Sequence, residues 1–311
     1  MITSIANQRI KRLIQLQEKS RARNREGVFV AEGLKMFEEA PMDSLKEVYV
    51  QESLWKQLSI RSLETGQRTK KSKVGEWSEK TEVNKELVCQ ERMEKIWQKL
   101  SVCEKKGILV EQVADDIFKK AADTQTPQGI LFVIGHLSYA VDTLIRQAVE
   151  RREAGGRLPL FLLLEDIQDP GNLGTMLRTA EGAGADAVIM SRGCVDIYNP
   201  KTIRSTMGSL YRVPFVYTDE LAEAVKLLQC GGIKVYAAHL AAEKYFDEIA
   251  YEDGSGFLVG NEGNGLKKET ADGADIYLKI PMEGKLESLN AGIAAALLMY
   301  QAAGYARKID K

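Results

Sequence analysis

From Leu160 onward, short apolar runs alternate with stretches whose apolar residues recur at helical spacing. The order is LFLLLE, a helix after Asn172, ADAVIM, a segment through Thr202 to Leu210, and VPFVY. It continues with a helix near Leu221–Leu228, IKVYAA, GFLVG, IYLKIP and a last helix from Ser288 to about Ala303. Strands and helices that alternate in this way predict an α/β domain with a parallel sheet covered on both faces. The front third is organised differently. Ile10, Leu13 and Ile14 fall on one face of a helix over residues 7–17, and Arg9, Lys11 and Arg12 on the other. Four strand-like runs follow, GVFVAEG, KEVYV, KGILVEQV and QGILFVIG, which predict a smaller mixed α/β domain. Between them, QRTKKSK predicts a basic loop, and Val88, Met93, Ile96, Trp97 and Leu100 a helix with one apolar stripe. The charged stretch that runs into Gly155-Gly156 and Pro159 predicts the boundary. The expected organisation is an N-terminal domain over 1–140, a linker over 141–158 and a C-terminal domain over 159–311.

Composition narrows the function. With 311 residues, 44% hydrophobic and 28% charged, the chain has the balance of a folded globular protein. Its start is too charged for a secretory leader, and no window approaches 18 uninterrupted apolar residues, so a cytoplasmic location with no membrane partner is expected. Cys89, Cys103, Cys194 and Cys230 show no C-x-x-C spacing, and His136 and His239 have no partner at ligand spacing. Neither a metal site nor a Ser-His-Asp triad is expected. The formal net charge is only −1, yet residues 1–25 hold seven Lys or Arg and one Glu. Cations concentrated in this way suit a polyanion, and Arg9, Lys11, Arg12, Arg21, Arg23 and Arg25 are the residues that would bind it, as RNA-binding residues if the polyanion is RNA. A solvated helix face is the alternative.

Three stretches of the second half carry candidate chemistry. In DPGNLGTMLRTAEGAGAD, Leu173, Met176, Leu177 and Ala180 form one helical stripe and Arg178 lies roughly opposite. Asn172 stands where a helix cap would, so the pair is either a cap with a solvated charge or a site at the mouth of a strand. In FLVGNEGNGL, glycines at G-x-x-G-x-G spacing surround Glu262. That spacing differs from the dinucleotide fingerprint G-x-G-x-x-G, which weighs against a nicotinamide-dependent dehydrogenase. In IPMEGKLESLNAGIAAALLMY, Ser288 and Asn290 precede a helix that is apolar on nearly every side and so must be buried within the fold or between subunits.

Taken together, these stretches resemble the three motifs of the SpoU/TrmH family of RNA ribose 2′-O-methyltransferases, part of the trefoil-knotted SPOUT class. The resemblance spans about residues 159 to 303, and NPKTIRSTMGSLYRVP is similar to the segment that connects the first two motifs. SIANQRIKRLIQLQEKSRARNREGVFVAEGLKM and TQTPQGILFVI resemble a substrate-binding domain that many members carry. The resemblance implies a knotted C-terminal domain, a homodimer with its active site at the subunit interface, and S-adenosylmethionine as cofactor. It assigns the family's functional positions to Asn172, Arg178, Glu262, Ser288 and Asn290. It places the cofactor against Ala238, His239 and Leu240, against Gly260, Asn261 and Gly263, and against Ile280, Met282, Leu289 and Asn290. The expected reaction is methylation of a ribose 2′-hydroxyl without a metal, in ribosomal RNA ahead of transfer RNA. A non-catalytic RNA-binding assembly factor of the same fold is the rival reading.

Overall fold

The structure, a computed structural model, describes residues 1–65, 80–286 and 288–309, with side chains described outside 61–89 and 307–309. The basic QRTKKSK segment and the side chain of Val88 therefore lie outside the described residues. The chain divides into two compact units, Met1–Leu137 and Ser138–Lys311.

In the first unit, Asn7 accepts a hydrogen bond from the Arg9 N–H at 2.9 Å and so starts α1 (Gln8–Glu18). Ile10, Leu13 and Leu16 are the buried face of this helix. α2 (Ser20–Glu26) ends at Gly27, whose φ of 63° is the left-handed conformation that glycine adopts without strain. Then come β1 (Val28–Glu32), α3 (Leu34–Glu39), β2 (Leu45–Gln51), α4 (Glu52–Thr65), α5 (Lys80–Lys105), β3 (Leu109–Val113), α6 (Asp115–Ala121) and β4 (Ile130–Gly135). The sheet order is β1-β4-β2-β3, with β2 and β3 parallel and the other pairs antiparallel. α1 closes one face, where its apolar side meets Val30, Tyr49, Phe118 and Leu131. On α5, Met93, Ile96 and Leu100 are buried as expected, and Trp97 meets Trp55 edge-on at 5.4 Å.

The second unit begins with α7 (Val141–Glu153), which corrects the expected linker. Its Ile145 and Ala148 pack with Leu221, Val225 and Leu228 in the core, so the segment is a surface helix with a narrow apolar face. The remaining elements are β5 (Leu160–Leu164), α8 (Pro170–Ala183), β6 (Ala187–Ser191), α9 (Pro200–Thr206), β7 (Phe215–Thr218), α10 (Leu221–Cys230), β8 (Lys234–Ala238), β9 (Lys244–Tyr245), β10 (Ser255–Val259), α11 (Lys268–Asp272), β11 (Ile276–Lys279) and α12 (Ala291–Ile309). α12 begins later and ends later than expected. All strand pairs are parallel, in the order β7-β6-β5-β10-β8-β11-β9. β5, β6 and β10 are buried along their whole length, as strands covered on both faces must be. β5 is the switch strand: the chain proceeds outward to β6 and β7 on one side and later inserts β10 on the other. Loops that leave such a point in opposite directions open a crevice beyond the carboxyl ends of the strands.

Candidate active site

α8 starts at that crevice. Asp169 caps it by accepting from the Asn172 N–H at 2.8 Å, with Pro170 at the first helical position. Asn172 is therefore inside the first turn and is not the cap, which leaves its amide for other partners. Its Nδ2 donates to Glu262 Oε1 at 3.0 Å, and its Oδ1 accepts from Asn290 Nδ2 at 2.9 Å. One continuous line of hydrogen bonds thus joins residues 118 positions apart. Glu262 also accepts from the backbone N–H groups of Gln168 and Asp169, each at 3.2 Å. Partial burial works against its ionised form. The hydrogen bonds from Asn172 and from the backbone of Glu262, Gln168 and Asp169 outweigh this and hold its carboxyl below the usual carboxylate range.

The glycine-rich turn after β10 has the shape its sequence requires. Asn261 and Gly265 exchange both backbone hydrogen bonds, at 3.0 and 2.9 Å, and Asn261 Oδ1 accepts from the Gly263 and Asn264 N–H groups. A Cβ on Gly260 would lie 2.2 Å from the Gly265 carbonyl carbon, so only glycine closes this turn. The Asn261 Oδ1 and the Gly263 N–H, at two positions expected at the cofactor, are thus bonded to each other within the turn. Residues that the sequence reading passed over anchor it from beneath. Glu165, 3% exposed, accepts from the Lys267 N–H at 2.7 Å and from Thr270 Oγ1 at 2.5 Å. Asp166, held at φ 54°, accepts from Asn261 Nδ2 through its carbonyl at 2.8 Å and pairs with Lys267 Nζ at 2.7 Å. The signal was an acidic pair directly after the apolar run FLLL.

α12 is capped by Asn290, whose Oδ1 accepts from the Gly292 and Ile293 N–H groups at 2.9 and 3.3 Å. Ser288, where the last helix was expected to open, is exposed and makes no hydrogen bond among the described residues. Arg178 is likewise exposed on α8, and among the described residues its guanidinium has no hydrogen-bond or ion-pair partner. The structure therefore brings Asn172, Glu262 and Asn290 into contact and leaves Arg178 and Ser288 free of it.

The positions expected to hold a cofactor follow three neighbouring strands. Ala238 ends β8, Gly260 follows β10 and Ile280 follows β11, and β8 lies between the other two. His239 stacks on Tyr277 at 5.0 Å, while Leu240 is 72% exposed at the mouth. Met282 and Leu289 are half-buried in the return to α12. Apart from His239, these seven side chains are apolar or absent, so polar recognition here falls to the backbone. Among the described residues no group of three or more His, Cys, Asp or Glu could hold a metal, and no helix is long and apolar enough to cross a membrane.

In the first unit the candidate RNA-binding cations divide. Lys11 and Arg21 are exposed without an ion pair among the described residues, and Arg25 meets Glu26 at 3.4 Å with its side chain largely exposed. Arg9 pairs with Glu111 at 3.2 Å, and Arg12 with Glu26 at 2.7 Å and Glu47 at 2.9 Å. Arg23 is corrected outright. It is 3% exposed and donates to the Leu16 and Gln17 carbonyls at 2.7 and 2.9 Å, satisfying the orphaned end of α1.

Residues 159–300 match the model of the SpoU rRNA Methylase family, and residues 7–86 that of the MRM3-like substrate binding domain. The chain is 37% identical over 198 residues, 64% of its length and 74% of the other's, to the 23S rRNA (guanosine(2553)-2′-O)-methyltransferase RlmP of Bacillus subtilis. It is 29% identical over 208 residues, 66% of its length and 80% of the other's, to the putative TrmH family tRNA/rRNA methyltransferase YacO of the same organism. Among solved structures, the AdoMet-bound rRNA methyltransferase of Sinorhizobium meliloti superposes with a TM-score of 0.76 at 23% identity, covering 98% of this chain and 97% of that one. The SpoU methyltransferase AviRb of Streptomyces viridochromogenes gives 0.70 at 19% identity, covering 97% and 98%.

Proposed function

The chain belongs to the SpoU rRNA methylase family, and from that membership we propose that it transfers a methyl group from S-adenosylmethionine to a ribose 2′-hydroxyl of ribosomal RNA. The observation that carries the reading is the hydrogen-bonded line Asn290–Asn172–Glu262, which ties all three motifs together beside an unpartnered Arg178. The 23S rRNA named for the Bacillus subtilis relative supports ribosomal over transfer RNA, and with it a cytoplasmic location.

The cradle at the ends of β8, β10 and β11 fits the cofactor. Apart from His239 its side chains are apolar or absent, which suits the faces of an adenine ring, and hydrogen bonding to the ring edge is left to the backbone at the ends of these strands. Ala238, His239, Leu240, Gly260, Ile280, Met282 and Leu289 would hold it. When bound, it supplies a methyl group already activated for transfer, so the protein's own task is to position the hydroxyl and ease the departure of its proton. Arg178 holds the phosphate beside the target ribose through its planar fork and stabilises the alkoxide that develops there. It does so as a cation, because a guanidinium does not give up its proton at neutral pH. Asn172, Glu262 and Asn290 fix the three motif loops relative to one another, and Ser288 contacts the sugar.

The active form is a homodimer. Ile293, Leu297 and Tyr300 are 53%, 39% and 46% exposed and form one apolar stripe along α12, the kind of surface a second copy would cover. Arg178 is exposed on α8, the helix that packs beside α12. The knot of the family is part of this reading. It rests on the family membership. The test is transfer of labelled methyl from S-adenosylmethionine to RNA lacking the modification, separated by size and digested to nucleosides. Label on a 2′-O-methyl nucleoside from ribosomal RNA supports the proposal. Label confined to transfer RNA moves the substrate class, and none at all favours the non-catalytic reading.

A further inference from the structure

An open cavity of about 600 Å³ lies beyond the carboxyl ends of β5, β6 and β10, walled by Asp166, Gln168, Gly193, Asn264, Leu266 and Lys267. It is on the other side of the Gly260–Gly265 turn from the cradle of β8 and β11, so it is not the cofactor's place. Three features define its chemistry. Its one cation, Lys267, is paired with its one anion, Asp166, at 2.7 Å, which leaves the cavity neutral and unsuited to a phosphate. Its rim is amide. Gln168 donates through Nε2 to the Asp166 and Gly193 carbonyls at 3.1 and 2.6 Å, leaving Oε1 to accept, while the Asn264 side chain has no partner among the described residues. Leu266 supplies an apolar wall. A neutral slot with one apolar wall and amide groups free to donate and accept is built for a planar heterocycle with polar edges.

Its position identifies which one. The N–H groups of Gln168 and Asp169 bind Glu262, which binds Asn172, so the cavity wall is continuous with the residues that join the three motifs. We propose that this cavity receives the nucleobase next to the methylated ribose, and that Asn264 and Gln168 read its edge and so set the sequence context of the enzyme. This rests on the reading of the chain as an RNA ribose methyltransferase.

The test uses the full chain and short RNAs spanning the methylated nucleotide, with each flanking base changed in turn, and compares initial rates of methyl transfer. The wild-type protein is expected to discriminate at one flanking position by about tenfold or more, the worth of a bidentate amide contact. Asn264→Ala and Gln168→Ala should reduce that discrimination at least several-fold while S-adenosylmethionine affinity, measured by calorimetry, stays the same. Equal discrimination in both variants, or none at either flank in the wild type, would overturn the proposal while leaving the methyltransferase reading intact. Absence of any transfer by the wild type would remove both.

Discussion

Replacing Asn172 by Asp changes one atom of the line that joins the motifs. The bond to Asn290 Nδ2 survives, because Oδ1 is kept, and a carboxylate in the first turn of α8 suits the helix dipole. The bond to Glu262 becomes an encounter of two carboxylates at about the present 3.0 Å. Two like charges at that separation repel by about 1.4 kcal/mol at the dielectric of water and about 5.5 kcal/mol at the value typical near protein surfaces. Divided by about 1.4 kcal/mol per unit, this lifts the upper pKa of the pair by about one to four units. The two carboxyls then titrate together and share a proton well above the range of the wild-type Glu262, whose carboxyl is held low. The assay is methyl transfer by Asn172→Asp relative to wild type between pH 5 and 8. The ratio should be depressed more than about tenfold at pH 8 and recover toward pH 5, as the shared proton restores a hydrogen bond. Because the folded pair binds a proton that the unfolded chain has released, the stability of the variant relative to wild type should fall as pH rises from about 4 through the raised pKa. Asn172→Ala lowers the rate without this pH trend. A flat ratio, or full activity of Asn172→Asp at pH 8, would refute the role given to the Asn172–Glu262 contact.

Other outcomes follow from single observations. Arg178→Ala should abolish turnover with S-adenosylmethionine affinity unchanged by calorimetry, and Arg178→Lys should restore little, since a point charge cannot replace the fork. Arg21→Ala with Arg25→Ala should weaken RNA binding and reduce its salt slope by about one per cation, read from filter binding at several ionic strengths. Arg23→Ala should instead cost about 2–4 kcal/mol in urea denaturation, because two carbonyls at the end of α1 lose a buried charged donor. Gly174→Ala should destabilise by about 1–3 kcal/mol, since a Cβ there would lie 2.4 Å from Ser205 Cβ and 2.8 Å from the Thr202 carbonyl and would push α9 off α8. Leu297→Arg should yield a monomer in sedimentation; a dimer that persists would contradict the role given to the α12 stripe.

What was legible in the sequence was what short-range physics decides. β5, β6 and β10 are uninterrupted apolar runs because both their faces are covered, and such runs announce themselves. The two-residue β9 has no pattern long enough to show. α7 reads as a linker because only Ile145 and Ala148 are buried among many Arg and Glu, and what buries them is α10, nearly eighty residues later. Arg23 looks like its neighbours Arg21 and Arg25 until the bend between α1 and α2 turns it inward. In the site, the motif residues were named from the resemblance, but their division into a bonded set and two unbonded ones was not. Whether Asn172 is a cap or a tie depends on Asp169 taking the cap, which spacing alone leaves open. Glu165 and Asp166 were missed because acids after a strand are usually solvated loop, and only the fold places Thr270 and Lys267 over them.

The most direct test of the account is analysis of ribosomal RNA from cells lacking this gene, with the gene restored as wild type or as Arg178→Ala. The account predicts that one ribose 2′-O-methyl group disappears on deletion, returns with the wild type and stays absent with the variant. Ribosomal RNA with the same 2′-O-methyl groups in all of these strains would contradict it.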